Sequence, residues 1–222
     1  MHWTDEGYLL SKNNFDENSI IVEAFTLKHG KYTGIIYGGS SRKQKRNFQI
    51  GNKILFHWNS KGENRSGYFN IELIKPISPF YFDDKKRSAS ILSATSILKI
   101  LLPERQVNEK IFNSFEKILN DLKEQNWIML YIYWELSLIK ELGYEISFLK
   151  KKDDYTMINN IIKINEKNFQ IPEMLVNNNK KNVNNNEIKE ALIFNKNLLL
   201  ENFILPNRLK FPLFRNLLES YY

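Results

Sequence analysis

Lys53-Ile54-Leu55-Phe56-His57-Trp58-Asn59 alternates strictly, with Ile54, Phe56 and Trp58 on one side and Lys53, Leu55, His57 and Asn59 on the other. Gly67-Tyr68-Phe69-Asn70-Ile71-Glu72-Leu73 repeats the pattern, with Phe69, Ile71 and Leu73 expected inward and Tyr68, Asn70 and Glu72 outward. Successive side chains leave opposite faces of an extended chain, so a period of two predicts a half-buried strand in each stretch. Working back toward the N-terminus, residues 32–37 read as a further strand, the β-branched run Ser19–Thr26 as another, and Tyr8-Leu9-Leu10 as a short first strand. Gly30 stands where the turn between two of them requires positive φ, and Gly38-Gly39-Ser40-Ser41 opens a loop. Five strands in so short a span predict a small antiparallel barrel or sandwich. An oligonucleotide/oligosaccharide-binding (OB) barrel has that strand count and size, and an SH3-like barrel would give the same pattern.

Pro76 and Pro79 stop the strands, and the hydrophobic period changes. Asp83-Asp84 puts acids at a helix start, followed by Ile91, Leu92, Thr95, Leu98, Leu101 and Leu102 at helical spacing, until Pro103. A second helix is expected over residues 108–125, with Ile111, Phe112, Phe115, Ile118, Leu119 and Leu122 as its stripe. A third, residues 127–142, is apolar nearly all round and belongs at the centre of a bundle. Residues 161–171 suggest a small hairpin, residues 177–186 are an Asn/Lys low-complexity loop, and helical spacing returns from Ile188 to Phe203 and after Pro212. The expected class is α+β: a five-stranded OB-like barrel over residues 1–80, then a helical domain over 81–222. The latter would carry a hairpin insertion at about 147–176.

Composition narrows the chemistry. Among 222 residues there is no cysteine, so disulfides, thiolate metal sites and cysteine nucleophiles are excluded. The three histidines, His2, His29 and His57, lie far apart, and neither His29 nor His57 shows a carboxylate or nucleophile partner in the sequence. No GxSxG elbow occurs, and the glycine-rich stretch from Gly34 to Ser40 lacks the lysine of a phosphate-binding loop. No enzyme, cofactor or metal is expected. Met1 to Glu6 is acidic rather than a signal peptide, and the longest apolar run, residues 127–134, is short of the ~20 residues of a spanning helix, so a soluble cytoplasmic protein is expected.

The formal charge is +7, from 32 Lys and Arg against 25 Asp and Glu. Residues 42–80 hold eight of the bases and two of the acids, and the excess centres on Arg42-Lys43-Gln44-Lys45-Arg46. Such a cluster attracts polyanions, because each neutralised phosphate releases condensed counterions. Single-strand binding combines cations along the backbone with flat side chains under the bases. Arg42, Lys43, Lys45 and Arg46 are the candidate phosphate contacts. Phe48 and Tyr68 are the candidate stacking residues, with plugging of the barrel as the alternative use of Phe48. A protein-interaction adaptor, in which the barrel binds a partner and the basic loop confers solubility, is the competing reading.

Trp3-x-Asp5-Glu6-Gly7 before an apolar strand, Thr26-Leu27-x-His29-Gly30, and Gly38-Gly39 before a Ser/Arg-rich basic loop resemble the RecO family of DNA repair proteins. So do Leu102-Pro103-Glu104-Arg105, Trp134-Glu135-Leu136 and Glu141-Leu142-Gly143-Tyr144. The resemblance covers roughly residues 1–146, and weakens beyond Asn186 to a Pro/Leu/Arg pattern around Arg215. It implies an OB domain, a helical domain, and a recombination mediator without nucleotide hydrolysis. Such a protein binds single- and double-stranded DNA, anneals strands and, with RecR, helps load RecA onto DNA coated by single-strand binding protein. The acidic tail of that protein would dock on the helical domain, where Lys140 and Arg215 are the cations assigned to meet it. Many family members place four zinc-binding cysteines after the third helix; residues 147–176 have neither Cys nor His, so that module is metal-free here.

Overall fold

The computed structural model describes residues 1–39, 48–62, 67–144, 161–176 and 183–222. Five strands form a closed barrel: β1 (His2–Asn14), β2 (Ser19–Thr26), β3 (Gly30–Tyr37), β4 (Lys53–Asn59) and β5 (Gly67–Lys75), in the order β1-β2-β3-β5-β4. β1 closes the ring by pairing with both β2 and β4, and the one parallel seam joins Gly34 to Gly67 and Ile35 to Tyr68. This strand order is that of the OB barrel and decides between the two barrels that the sequence left open.

The first strand is far longer than its apolar centre suggests. Residues His2 to Tyr8 pair with β4 and Gly7 to Asn14 with β2, with an irregularity between Leu9 and Ser11. Trp3-Thr4-Asp5-Glu6 lacks alternation, so the extension is set by backbone pairing with β4 rather than by its own pattern. Leu73 also departs from expectation: it is 37% exposed, at the end of the β4–β5 ladder where the register shifts between Lys53 and Ile54.

The barrel interior holds Leu9, Val22, Ala24, Ile36, Phe48, Ile54, Phe56, Trp58 and Phe69 among its buried residues. At the parallel seam the tryptophan dictates what can stand opposite. A Cβ on Gly34 would lie 2.6 Å from Trp58 Cζ3, and one on Gly67 would lie 2.3 Å from Trp58 Cζ2. The two glycines are register partners, so the indole occupies the room both side chains would need.

Among the described residues six helices follow: α1 (Lys85–Leu101), α2 (Glu109–Asp121), α3 (Trp127–Glu141), α4 (Glu173–Val176), α5 (Asn185–Leu199), continued by a π-helical turn over Leu200–Ile204, and α6 (Leu213–Ser220). Asp84 caps α1 by accepting from Arg87 N, as the acidic pair led one to expect, and Asn184 with Glu187 forms a capping box on α5. The hairpin forms as β6 (Ile161–Ile164) and β7 (Lys167–Gln170). The N-terminal part of the insertion and residues 177–182 of the Asn/Lys loop lie outside the described residues.

Two compact units result: Met1–Leu119 with Pro212–Arg215, and Asn120–Phe211 with Asn216–Tyr222. In the first, α1 and α2 cover part of the barrel's outer face. Tyr8 packs edge-on to Phe115, Phe25 to Phe112, and Lys99 pairs with Glu23 at 2.8 Å. The change of period at Pro76 to Pro79 therefore ends the strands without ending the packing unit. In the second, α3 packs on α5 as its apolar circumference predicts. Fully buried Glu135 accepts from Tyr131 Oη (3.0 Å) and Asn195 Nδ2 (3.1 Å).

Glu116 on α2 ties the helix to the barrel by accepting from Tyr8 Oη and Lys53 Nζ, each at 2.8 Å. Partial burial would raise its pKa, but the two donors outweigh it and hold the carboxyl below the usual range. Burial and the same carboxylate push the Tyr8 phenol up. Lys53 also meets Glu6 at 2.5 Å; burial alone would lower its pKa, yet the two carboxylates raise it.

Two outcomes follow from this packing. Gly67→Ala is expected to destabilise the barrel by about 1–3 kcal/mol through overpacking against Trp58, read as a lower urea midpoint at unchanged slope. Glu116 has a depressed folded-state pKa, so its stabilisation is present above the ordinary carboxylate range and lost as pH falls through the folded value. Glu116→Gln should therefore lower stability at about pH 7, with the difference from the parent shrinking as pH falls below the ordinary carboxylate range in the same urea titration.

Candidate nucleic-acid interface

Where the helices do not cover the barrel, its outer face carries an apolar strip. Ile21 pairs with Ile35, and Ile35 with Tyr68, so one row crosses β2, β3 and β5. Two residues further along β3, Tyr37 comes beside Tyr68 with ring centroids 5.9 Å apart and planes tilted by 53°. Tyr37 is 66% exposed and Tyr68 39%. Phe15, from the turn after β1, joins Ile21, Thr33, Ile35, Glu104 and Arg105 around a cleft of about 610 Å³. The two tyrosines meet each other but leave much of their rings in solvent, and a flat ring at the edge of a cleft can stack on another planar group.

The cleft rim is fixed by the segment after α1. Arg105 N donates to Lys31 O at 2.8 Å, Thr33 Oγ1 donates to Glu104 Oε1 at 3.1 Å, and Arg105 places its guanidinium 5.5 Å from the centre of the Tyr32 ring. This close passage needs Gly30, at φ +76°, because a Cβ there would lie 2.1 Å from Gln106 O.

Of the residues assigned from sequence, Tyr68 is on this strip, and Arg42, Lys43, Lys45 and Arg46 lie outside the described residues. In the chain, Arg42 follows Tyr37 by five residues and Phe48 follows Arg46 by two. Phe48 itself is 1% exposed inside the barrel, so it plugs the core and offers no face to a base. Its carbonyl accepts from Lys12 Nζ at 2.5 Å. Lys140 is exposed on the last turn of α3. Arg215 is fully buried, and a guanidinium removed from solvent cannot meet an incoming acidic tail, so that assignment is corrected.

Tyr37 and Phe15 were not legible as site residues. Tyr37 lies on the outward phase of β3, which is the available signal, but its partner becomes a neighbour only through the parallel seam. The histidines gain partners too. His29 Nδ1 donates to buried Asp5 at 3.0 Å, since a carboxylate can only accept, and its ring stacks on Trp3 at 4.1 Å. His57 meets Thr4 Oγ1 at 2.9 Å and Glu72 at 3.5 Å. These pairings hold the β1 start to neighbouring strands and turns. Among the described residues no group of three or more His, Asp or Glu could hold a metal ion, and no helix is long and apolar enough to cross a membrane.

The barrel and the open aromatic strip define an OB-type module extended by helices. Residues 1–78 match the family described as "Recombination protein O N terminal", and residues 83–151 match "Recombination protein O C terminal". The chain belongs to the RecO family. It is 31% identical to "DNA repair protein RecO" of Roseobacter denitrificans over 148 residues, 66% of this chain and 61% of that protein. The protein of the same name from Hyphomonas neptunium is 31% identical over 65% of this chain and 60% of its own length, and that of Cereibacter sphaeroides 29% over 68% and 62%. The chain thus spans about three fifths of the length of these relatives.

If the strip receives bases, Tyr37→Ala with Tyr68→Ala should weaken binding of a single-stranded oligonucleotide by about 1–3 kcal/mol for each base left without a ring to stack on. Fluorescence anisotropy measures this, and a melting temperature close to the parent's is expected because both rings are exposed.

Proposed function

We propose that this chain is an ATP-independent recombination mediator that binds single- and double-stranded DNA and anneals complementary strands. With RecR it would help load RecA onto DNA coated by single-strand binding protein, in the cytoplasm. The observation that carries the reading is the Tyr37–Tyr68 pair, exposed on the outer face of an OB barrel, with Tyr37 five residues in the chain before the first base of the basic stretch, Arg42. Cations at 42–46 would hold phosphates with little sequence preference, while the tyrosines accept bases. Lys140, a cation on the exposed side of α3, is the remaining candidate for an acidic tail.

Salt titration tests the phosphate contacts. Each contact to a single strand contributes about −0.7 to the slope of log affinity against log salt. Replacing Arg42, Lys43, Lys45 and Arg46 by Gln should flatten that slope and weaken binding alike across sequences. Unchanged affinity would move the phosphate site elsewhere.

The adaptor reading has its own observation: Leu213, Phe214 and Leu217 are all exposed on α6, at 82%, 41% and 41%. It predicts no measurable oligonucleotide affinity even at low salt.

A further inference from the structure

A second pair of solvent-exposed rings lies where the barrel ends. Phe80 and Phe82, within and just after the 3₁₀ turn Ser78–Tyr81, are 75% and 60% exposed. The backbone beneath them is held on both sides. Asn52 Oδ1 accepts from Ile77 N at 2.8 Å and from Ser78 N at 3.2 Å, and Ser78 Oγ donates to Ile50 O. Ser88 Oγ of α1 donates to Tyr81 O. Gly51, at φ +88°, lets this segment approach α1 so closely that a Cβ would lie 2.4 Å from Ile91 Cγ2. Two large apolar rings are therefore kept in water by a clamped turn, at a cost in hydration that folding does not require.

The clamp also fixes what lies beside them. Residues 49–52 are the first chain after Phe48, where the basic stretch returns to the barrel. Lys12, Gln49, Ile50, Ser78, Phe82 and Leu92 share a cavity of about 180 Å³. Lys75 ends β5 and Lys85 opens α1, both exposed, with Lys86 and Arg87 following. Against these stand Asp83, Asp84 and, facing Lys75, Glu116; Asp84 is engaged in capping α1 and pairing with Arg87 Nη1 at 2.6 Å, and Glu116 already accepts from Tyr8 and Lys53. Rings among net positive charge suit a polyanion with planar groups better than an apolar protein surface.

We infer that Phe80 and Phe82 are a second stacking station for single-stranded nucleic acid, reached by the strand as it leaves the basic stretch. The inference rests on the proposed phosphate contacts at Arg42, Lys43, Lys45 and Arg46 and extends the path beyond them.

Two probes of about 20 nucleotides separate rings from charge: a thymidine oligonucleotide and an abasic one of equal length. For the full chain carrying Phe80→Ala and Phe82→Ala, affinity for the thymidine oligonucleotide should fall about tenfold or more. Affinity for the abasic probe and the salt slope should stay unchanged. An equal loss on both probes, or no loss on either, overturns the inference; no loss on either is also the outcome if an apolar protein is the occupant. The Gln replacements at 42–46 keep this separate from the parent reading, since they should weaken both probes whether or not the phenylalanines stack. If the double variant fails to fold, Phe80→Trp replaces it. Its emission should be quenched by the thymidine probe and not by the abasic one, and emission indifferent to both overturns the inference.

Discussion

The indole of Trp58 between Gly34 and Gly67 is the constraint on which the barrel depends. Parallel pairing of β3 with β5 covers two residue pairs, and both lie at or beside this contact. With so short a ladder, closure has to come from packing, and a large ring filling the space of two absent side chains supplies it. The seam in turn sets the outer face: the same register that apposes the glycines inside brings Ile35 to Tyr68 outside and Tyr37 beside it.

The residues that carry the family resemblance are mostly architecture. Asp5 accepts from Lys28 N and His29, Trp3 stacks on His29, and Gly7 would bring a Cβ within 2.5 Å of Phe25 O. Glu104 and Arg105 dock beside Lys31, and Glu135 lies buried in the α3–α5 packing. Recognition of the family and location of a binding surface therefore draw on largely different residues, with Glu104 and Arg105 common to both. The first set fixes strand ends and turns, some of it buried, as Asp5, Gly7 and Glu135 are, and some exposed, as Glu104 and Arg105 are, whereas Tyr37 and Tyr68 are exposed with no partner requirement that would mark them in a single sequence.

What was legible in the sequence follows the same division. The alternation in Lys53–Asn59 and Gly67–Leu73 identified the barrel strands because one face of each is buried against the other, and the stripe on α2 stood out for the same reason. The polar start of β1 was hidden, since its partner β4 lies some fifty residues away and supplies hydrogen bonds rather than an apolar face. Tyr68 was visible by its outward phase. Phe48 was ambiguous because a single aromatic after a basic run has no period to place it, and its burial in the core decided the matter. Arg215 looked like a surface cation on a short amphipathic helix, yet it is fully buried.

Gly39 and Phe48, on either side of residues 40–47, are each seated in the barrel. Gly39 is buried so tightly that a Cβ would lie 2.7 Å from Ile20 Cγ1, while Phe48 fills the interior and Lys12 holds its carbonyl. Closure entropy rises by only about 0.6 kcal/mol for each doubling of loop length. A change of sequence length between Gly39 and Phe48 is thus expected to cost the barrel little, because the anchors that seat the two flanks are built from residues outside that span.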